Sequence, residues 1–148
     1  MLFRFKIHHA LTHIPFSFNS KDGKDDGAIW LSIVGEVFDV TVGREYYGPG
    51  NSYNVFAGRD ATVPYITGKF NVEEGAKGLD SLPMDKLLGI ESWVEFYRED
   101  EKYPFQGLLV DPRYYDEDGN PTPALDEYHA RLQTAKQLKS KKAESTAK

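Results

Sequence analysis

The stretch from Val37 to Phe70 reads VFDVTVGREYYGPGNSYNVFAGRDATVPYITGKF, and its composition changes character along its length. Val37 to Thr41 is a β-branched and aromatic run, the composition of a strand. From Gly43 to Asn54, glycine, proline and asparagine alternate with Tyr46, Tyr47 and Tyr53. Such a loop bends tightly while its large side chains project. Asp60 then stands where a cap would open a short helix, Ala61 to Thr67, closed by Gly68. Pro64 is tolerated there because the N–H groups of a first turn have no intrahelical partner.

Upstream, Ile29 to Val34 is a second strand-like run, joined to Val37–Thr41 through Gly35-Glu36. This predicts a β-hairpin with a type II′ turn, glycine supplying the positive φ. Asn19 to Gly27 is a charged, glycine-bearing loop. Downstream, Asp85 to Tyr97 has Leu87, Ile90, Val94 and Tyr97 on one helical stripe, with Trp93 and Phe96 beside it. Asp111 to Asn120 is a turn-rich acidic loop. Thr122 caps a further helix opened by Pro123, with Leu125, Tyr128, Leu132 and Ala135 on its apolar face. Residues 139–148 are polar and are expected to fray. Strands early and helices later predict an α+β fold.

Bulk properties bound the function. The chain has 148 residues, the size of one domain, and its nine tyrosines suit either a pocket or the edge of a core. It has no cysteine, which excludes disulfides, thiolate metal sites and cysteine nucleophiles. A net charge of −5, with no basic aromatic patch, argues against nucleic acid. No run approaches the roughly 20 apolar residues of a transmembrane helix. Met1 to Phe18 has Arg4 and Lys6 near its front, as a secretory leader would, but His8, His9 and His13 interrupt it. Phe3, Phe5 and Ile7 alternate with polar residues and fit a short strand equally well. The three histidines have no carboxylate spacing to support a metal site, and His129 stands alone. Nucleotide-binding, zinc-protease and serine-hydrolase signatures are all missing, so no catalytic constellation is expected.

Phe38-Asp39-Val40-Thr41, Gly43-Arg44, Tyr47-Gly48-Pro49, Tyr53 and Phe56-Ala57-Gly58-Arg59-Asp60-Ala61 together resemble the core motif of the membrane-associated progesterone-receptor family. That family lies within the cytochrome b5 superfamily. Leu88 to Gly107, with Trp93 and Lys102-Tyr103, resembles the later helix and return strand of the domain. Tyr115 to Leu125 resembles the neuferricin branch, and the likeness runs over about residues 28–130.

The resemblance implies a cytochrome b5-like haem/steroid-binding domain over residues 28–110. A divergent segment, 1–27, precedes it; an acidic loop and C-terminal helix, 111–138, and a polar tail, 139–148, follow. The implied cofactor is haem b. No histidine lies between positions 14 and 128, so bis-histidine ligation from the domain is ruled out. By the family's pattern Tyr53 is the axial iron ligand, bound as phenolate, an anionic oxygen that favours ferric iron. Tyr47 would donate a hydrogen bond to the Tyr53 oxygen. Lys102 would pair with a haem propionate, and Tyr103 would lie against the haem edge. Arg59 and Asp60 read as a structural cap and ion pair.

The implied function is a non-catalytic, five-coordinate haem protein acting as carrier, sensor or regulator. Its partners would be haem, a small hydrophobic ligand, or a haem-mediated second copy or other protein. The family's usual Phe-Thr-x-x-Glu-Leu opening is not present in Met1 to Ser20. Family members are commonly in the endomembrane system or secreted, which is the compartment the likeness implies. The alternative is a haem-free b5-like module that binds a protein or steroid-like partner.

Overall fold

A computed structural model describes residues 13–14 and 18–147. Phe3, Phe5, Ile7, His8 and His9 therefore lie outside the described residues, and of the three clustered histidines only His13 is described. The β-branched runs form the expected hairpin, β2 (Trp30–Ile33) against β3 (Glu36–Asp39), with Trp30 opposite Asp39 and Ile33 opposite Glu36. Its turn is one residue earlier than expected. Val34 and Gly35 occupy the two central positions with φ of 47° and 76°, which makes the turn type I′ rather than II′. Gly35 takes such an angle freely, and a Cβ there would come within 2.6 Å of the Tyr114 side chain. Val34 is held in a costly conformation because its N–H donates to Thr62 Oγ1 at 2.8 Å and its side chain is buried.

Three further strands complete one sheet: β1 (His13–Ile14), β4 (Arg59–Asp60) and β5 (Phe105–Leu109), in the order β1-β5-β3-β2-β4. β5 runs antiparallel to β3, with a register break between Val37 and Phe38. β1 lies parallel to β5 and makes one edge of the sheet. Residues 31–38 are all buried, so both faces of the central hairpin are covered.

The helices are α1 (Arg44–Tyr47), α2 (Thr62–Thr67), α3 (Val72–Gly75), α4 (Leu87–Glu99) and α5 (Pro123–Ala147). α1 is a single turn inside the expected loop, too short to leave a periodic trace in the sequence. Position 61, not 60, is the N-cap of α2: Asp60 belongs to β4, and its carboxylate reaches the Thr62 N–H only at 3.4 Å. α4 begins after a 3-10 turn, Met84–Lys86, and places Leu87, Ile90, Val94 and Tyr97 in the core. α5 buries Leu125, Tyr128, Leu132 and Ala135. It then continues to Ala147 instead of fraying at 139, since the alanines, lysines and glutamate there favour helix.

One buried polar knot joins the sheet to the segment after β5. Asp60 Oδ1 accepts from Ser32 Oγ at 2.8 Å and Thr62 Oγ1 at 2.7 Å. Its Oδ2 accepts from the Tyr114 hydroxyl and lies 3.3 Å from Arg113. The expected Arg59–Asp60 pairing does not form: Arg59 is exposed, and Arg113 takes its place. Burial pushes the Asp60 carboxyl up, opposed by Arg113 and the three hydroxyls.

Candidate functional site

Tyr47 ends α1, and the chain must turn away at Gly48. A Cβ at Gly48 would meet the Arg44 carbonyl oxygen at 2.6 Å, so any side chain there would push the loop off the helix end. The loop then folds back on carbonyls of that helix. The Gly48 and Tyr53 N–H groups donate to Arg44 O and Tyr46 O at 2.9 and 3.0 Å, and Asn54 Nδ2 donates to Tyr47 O at 2.9 Å. Arg44 in turn holds the Asn19–Gly27 loop through the carbonyls of Gly23 and Gly27. These bonds set the Tyr53 ring beside Tyr47, with centroids 5.8 Å apart.

Tyr53 is half-buried in an aromatic ledge. It lies 5.9 Å from Phe56, 5.6 Å from Phe70 and 6.2 Å from Tyr65, the last two edge to face. Trp93, from α4, stacks on Tyr65 at 4.3 Å and 14°. Each such ring pair adds about 0.5–1.5 kcal/mol beyond its buried area. Among the described residues, the Tyr53 hydroxyl has no hydrogen-bond partner.

Tyr47 behaves differently. Its ring touches Tyr53, but its hydroxyl is paired with Tyr97 Oη at 2.7 Å, and Tyr97 Oη is also 2.8 Å from Tyr65 Oη. Burial holds all three phenols above the ordinary tyrosine value. Tyr103 is buried edge-on to Tyr47 at 6.3 Å, and burial raises it too. Lys102 is exposed at the rim, its Nζ 5.9 Å over the Tyr103 ring.

The four residues expected from sequence thus fall on one patch: Tyr53 at its centre, Tyr47 and Tyr103 behind, Lys102 at the edge. Tyr65 and Tyr97 were not expected in it. Tyr97 read as one more apolar residue of the α4 stripe and Tyr65 as part of a short helix; only their shared tyrosine identity hinted that their hydroxyls meet. His13 is exposed at the sheet edge and His129 is exposed on α5, and burial lowers the imidazole of His129. Among the described residues, no cluster of histidine and carboxylate could hold a bare metal ion.

A cavity of about 230 Å3, bordered by Phe18, Phe56, Val72 and Arg113, does not include Tyr53. Its buried cation is already paired. The Arg113 guanidinium is spent on Asp111, Asp60 and the carbonyls of Gly75 and Lys77. The Tyr53 ledge, with an unpaired oxygen donor among flat apolar rings, is the better candidate. That donor chemistry fits a ferric porphyrin.

Comparison with known proteins agrees with the fold. The family model described as "Cytochrome b5-like Heme/Steroid binding domain" matches residues 17–103. A neuferricin homolog of Caenorhabditis elegans is 42% identical over 136 residues, which is 91% of this chain and 40% of that protein. Human neuferricin is 36% identical over 112 residues, 76% of this chain and 41% of its own. The chain thus spans about two-fifths of the curated relatives it matches. Among solved structures, a hypothetical protein of Arabidopsis thaliana, described as having a cytochrome b5 like fold, is 31% identical with a TM-score of 0.57. That match covers 70% of this chain and 98% of the other. The sheet order, the aromatic ledge and these likenesses lead to one assignment: the chain belongs to the cytochrome b5-like haem/steroid-binding domain family, in its membrane-associated progesterone-receptor branch and close to neuferricin.

Proposed function

We propose that this domain binds haem b through the phenolate of Tyr53 and serves as a haem carrier, sensor or regulator. The observation that carries the reading is the Tyr53 hydroxyl, half-exposed among aromatic rings and without a hydrogen-bond partner among the described residues. A phenolate stabilises ferric iron and lowers its reduction potential. Tyr53 would hold ferric iron through its phenol oxygen, which coordination would keep deprotonated, as bound cations do for their ligands. Tyr47 packs behind that oxygen donor and Tyr103 behind Tyr47. The Lys102 amine, at the exposed rim, pairs with a propionate.

Cytochrome b5-like haem- and steroid-binding domains are typically non-catalytic. With Tyr53 as its one protein ligand, the iron would keep a position free for another group. There a small molecule, or a second haem-bearing copy, would meet the metal. Among the described residues no helix is long and apolar enough to cross a membrane.

Titration of the purified protein with ferric haem, followed by absorption, tests the reading. Wild type gains a shifted Soret band at micromolar haem, and Tyr53→Phe loses it. If wild type takes up no haem at that concentration, the domain is instead a haem-free module. Its aromatic ledge would then receive a flat, oxygen-bearing apolar molecule of the steroid kind.

A further inference from the structure

The hydroxyls of Tyr47, Tyr97 and Tyr65 make a short chain with Tyr97 in the middle. Each neutral phenol carries one proton, so three protons serve two hydrogen bonds. Tyr97 is fully buried, and leaving its own proton without an acceptor there carries the desolvation cost of an unmade bond. The favoured arrangement therefore runs in one direction: one end donates to Tyr97, Tyr97 donates to the other end, and that end keeps a proton to give away. Both possible ends have rings beside the same neighbour, and in this structure neither hydroxyl bonds to the Tyr53 hydroxyl. The Tyr47 ring lies 5.8 Å from Tyr53, and the Tyr65 ring lies 6.2 Å from it, edge to face.

We infer that Tyr65 and Tyr97 belong to the haem site, forming with Tyr47 a directed hydrogen-bond chain whose spare proton is donated to the Tyr53 oxygen when that oxygen holds iron. The inference rests on the haem reading above and extends it to two residues outside the family's motif. A bond from a neutral phenol to an anionic oxygen is charge-assisted and about twice as strong as a neutral one. Successive bonds in such a chain polarise one another, so the far phenol strengthens the near donation. With no ligand bound, the partly exposed Tyr65 can give the proton to water; an anionic Tyr53 turns the chain inward. Tyr97 acts through its neighbours and is a positioning residue.

A hydrogen bond withdraws charge from the phenolate and so weakens its preference for ferric iron. The decisive experiment compares wild type, Tyr97→Phe and Tyr65→Phe, each loaded with ferric haem, by spectroelectrochemistry and by thermal melting. Tyr97→Phe is expected to retain haem, to show a lower reduction potential, and to move the phenolate-to-iron charge-transfer absorption to longer wavelength. Tyr65→Phe is expected to shift both in the same direction. A potential and absorption band unchanged from wild type in Tyr97→Phe overturn the inference while leaving tyrosinate ligation intact. Failure of wild type to take up haem overturns the ligation reading itself, and this inference with it. If Tyr97→Phe does not fold, Tyr65→Phe decides by the same two readouts, because its ring is partly exposed.

Discussion

Tyr114 has a fully buried ring, and its hydroxyl donates to Asp60, a residue of the FAGRD stretch that lies 54 positions earlier. Replacing it with phenylalanine keeps the ring and strips one donor from a buried carboxylate, a loss worth about 1–3 kcal/mol. Urea unfolding of Tyr114→Phe should show that decrease with an unchanged slope. Glu74 offers a second test. Its carboxyl lies 2.7 Å from Lys77, whose hydrogen bond holds it below the ordinary value of 4.5. The pair's contribution is complete above 4.5 and is lost as pH falls through the lower folded value. In an NMR titration, Lys77→Gln should move Glu74 upward, and an unmoved carboxyl would show that the pair does not act. At this scale the sequence was only partly legible. Asp60 looked like a helix cap because its neighbours in sequence suggested one. Its partners at Ser32, Arg113 and Tyr114 are far along the chain, and no local pattern announces them.

α5 shows how an element can be half legible. The stripe Leu125, Tyr128, Leu132, Ala135 correctly foretold its buried face, because a 3.6-residue period survives any tertiary context that needs a covered side. Its continuation to Ala147 was missed, since a face-free polar segment has propensity but no periodicity to read. The two halves should respond differently to change. Leu125→Ala, at a site with no exposure, should cost about 2–5 kcal/mol by thermal or chemical unfolding. Removing residues 139–148 should leave the melting temperature where it is, because the side chains described there are exposed. The hairpin teaches the converse lesson. β2 and β3 were plain from their β-branched runs. Their turn was misplaced by one residue because valine at positive φ is what a sequence reader rules out.

For the whole molecule, the sheet order β1-β5-β3-β2-β4 brings a segment before the family motif against one well after it, so the core closes only when distant parts of the chain meet. The family likeness named the first four residues of the candidate site. The two that join them, Tyr65 and Tyr97, meet only because α2 and α4 pack side by side. If haem binds only the folded state, stability rises with its concentration as RT ln(1 + [haem]/Kd). The melting temperature of wild type should therefore climb through a haem series while that of Tyr53→Phe stays flat. The stack of Trp93 on Tyr65, with Tyr97 a further 6.4 Å from Tyr65, has one more consequence. Aromatic transitions fixed at such short range in a chiral setting absorb left- and right-handed light unequally. The ledge is thus its own near-ultraviolet dichroic label. Loosening of these rings would erase that signal while the helical far-ultraviolet spectrum stood unchanged.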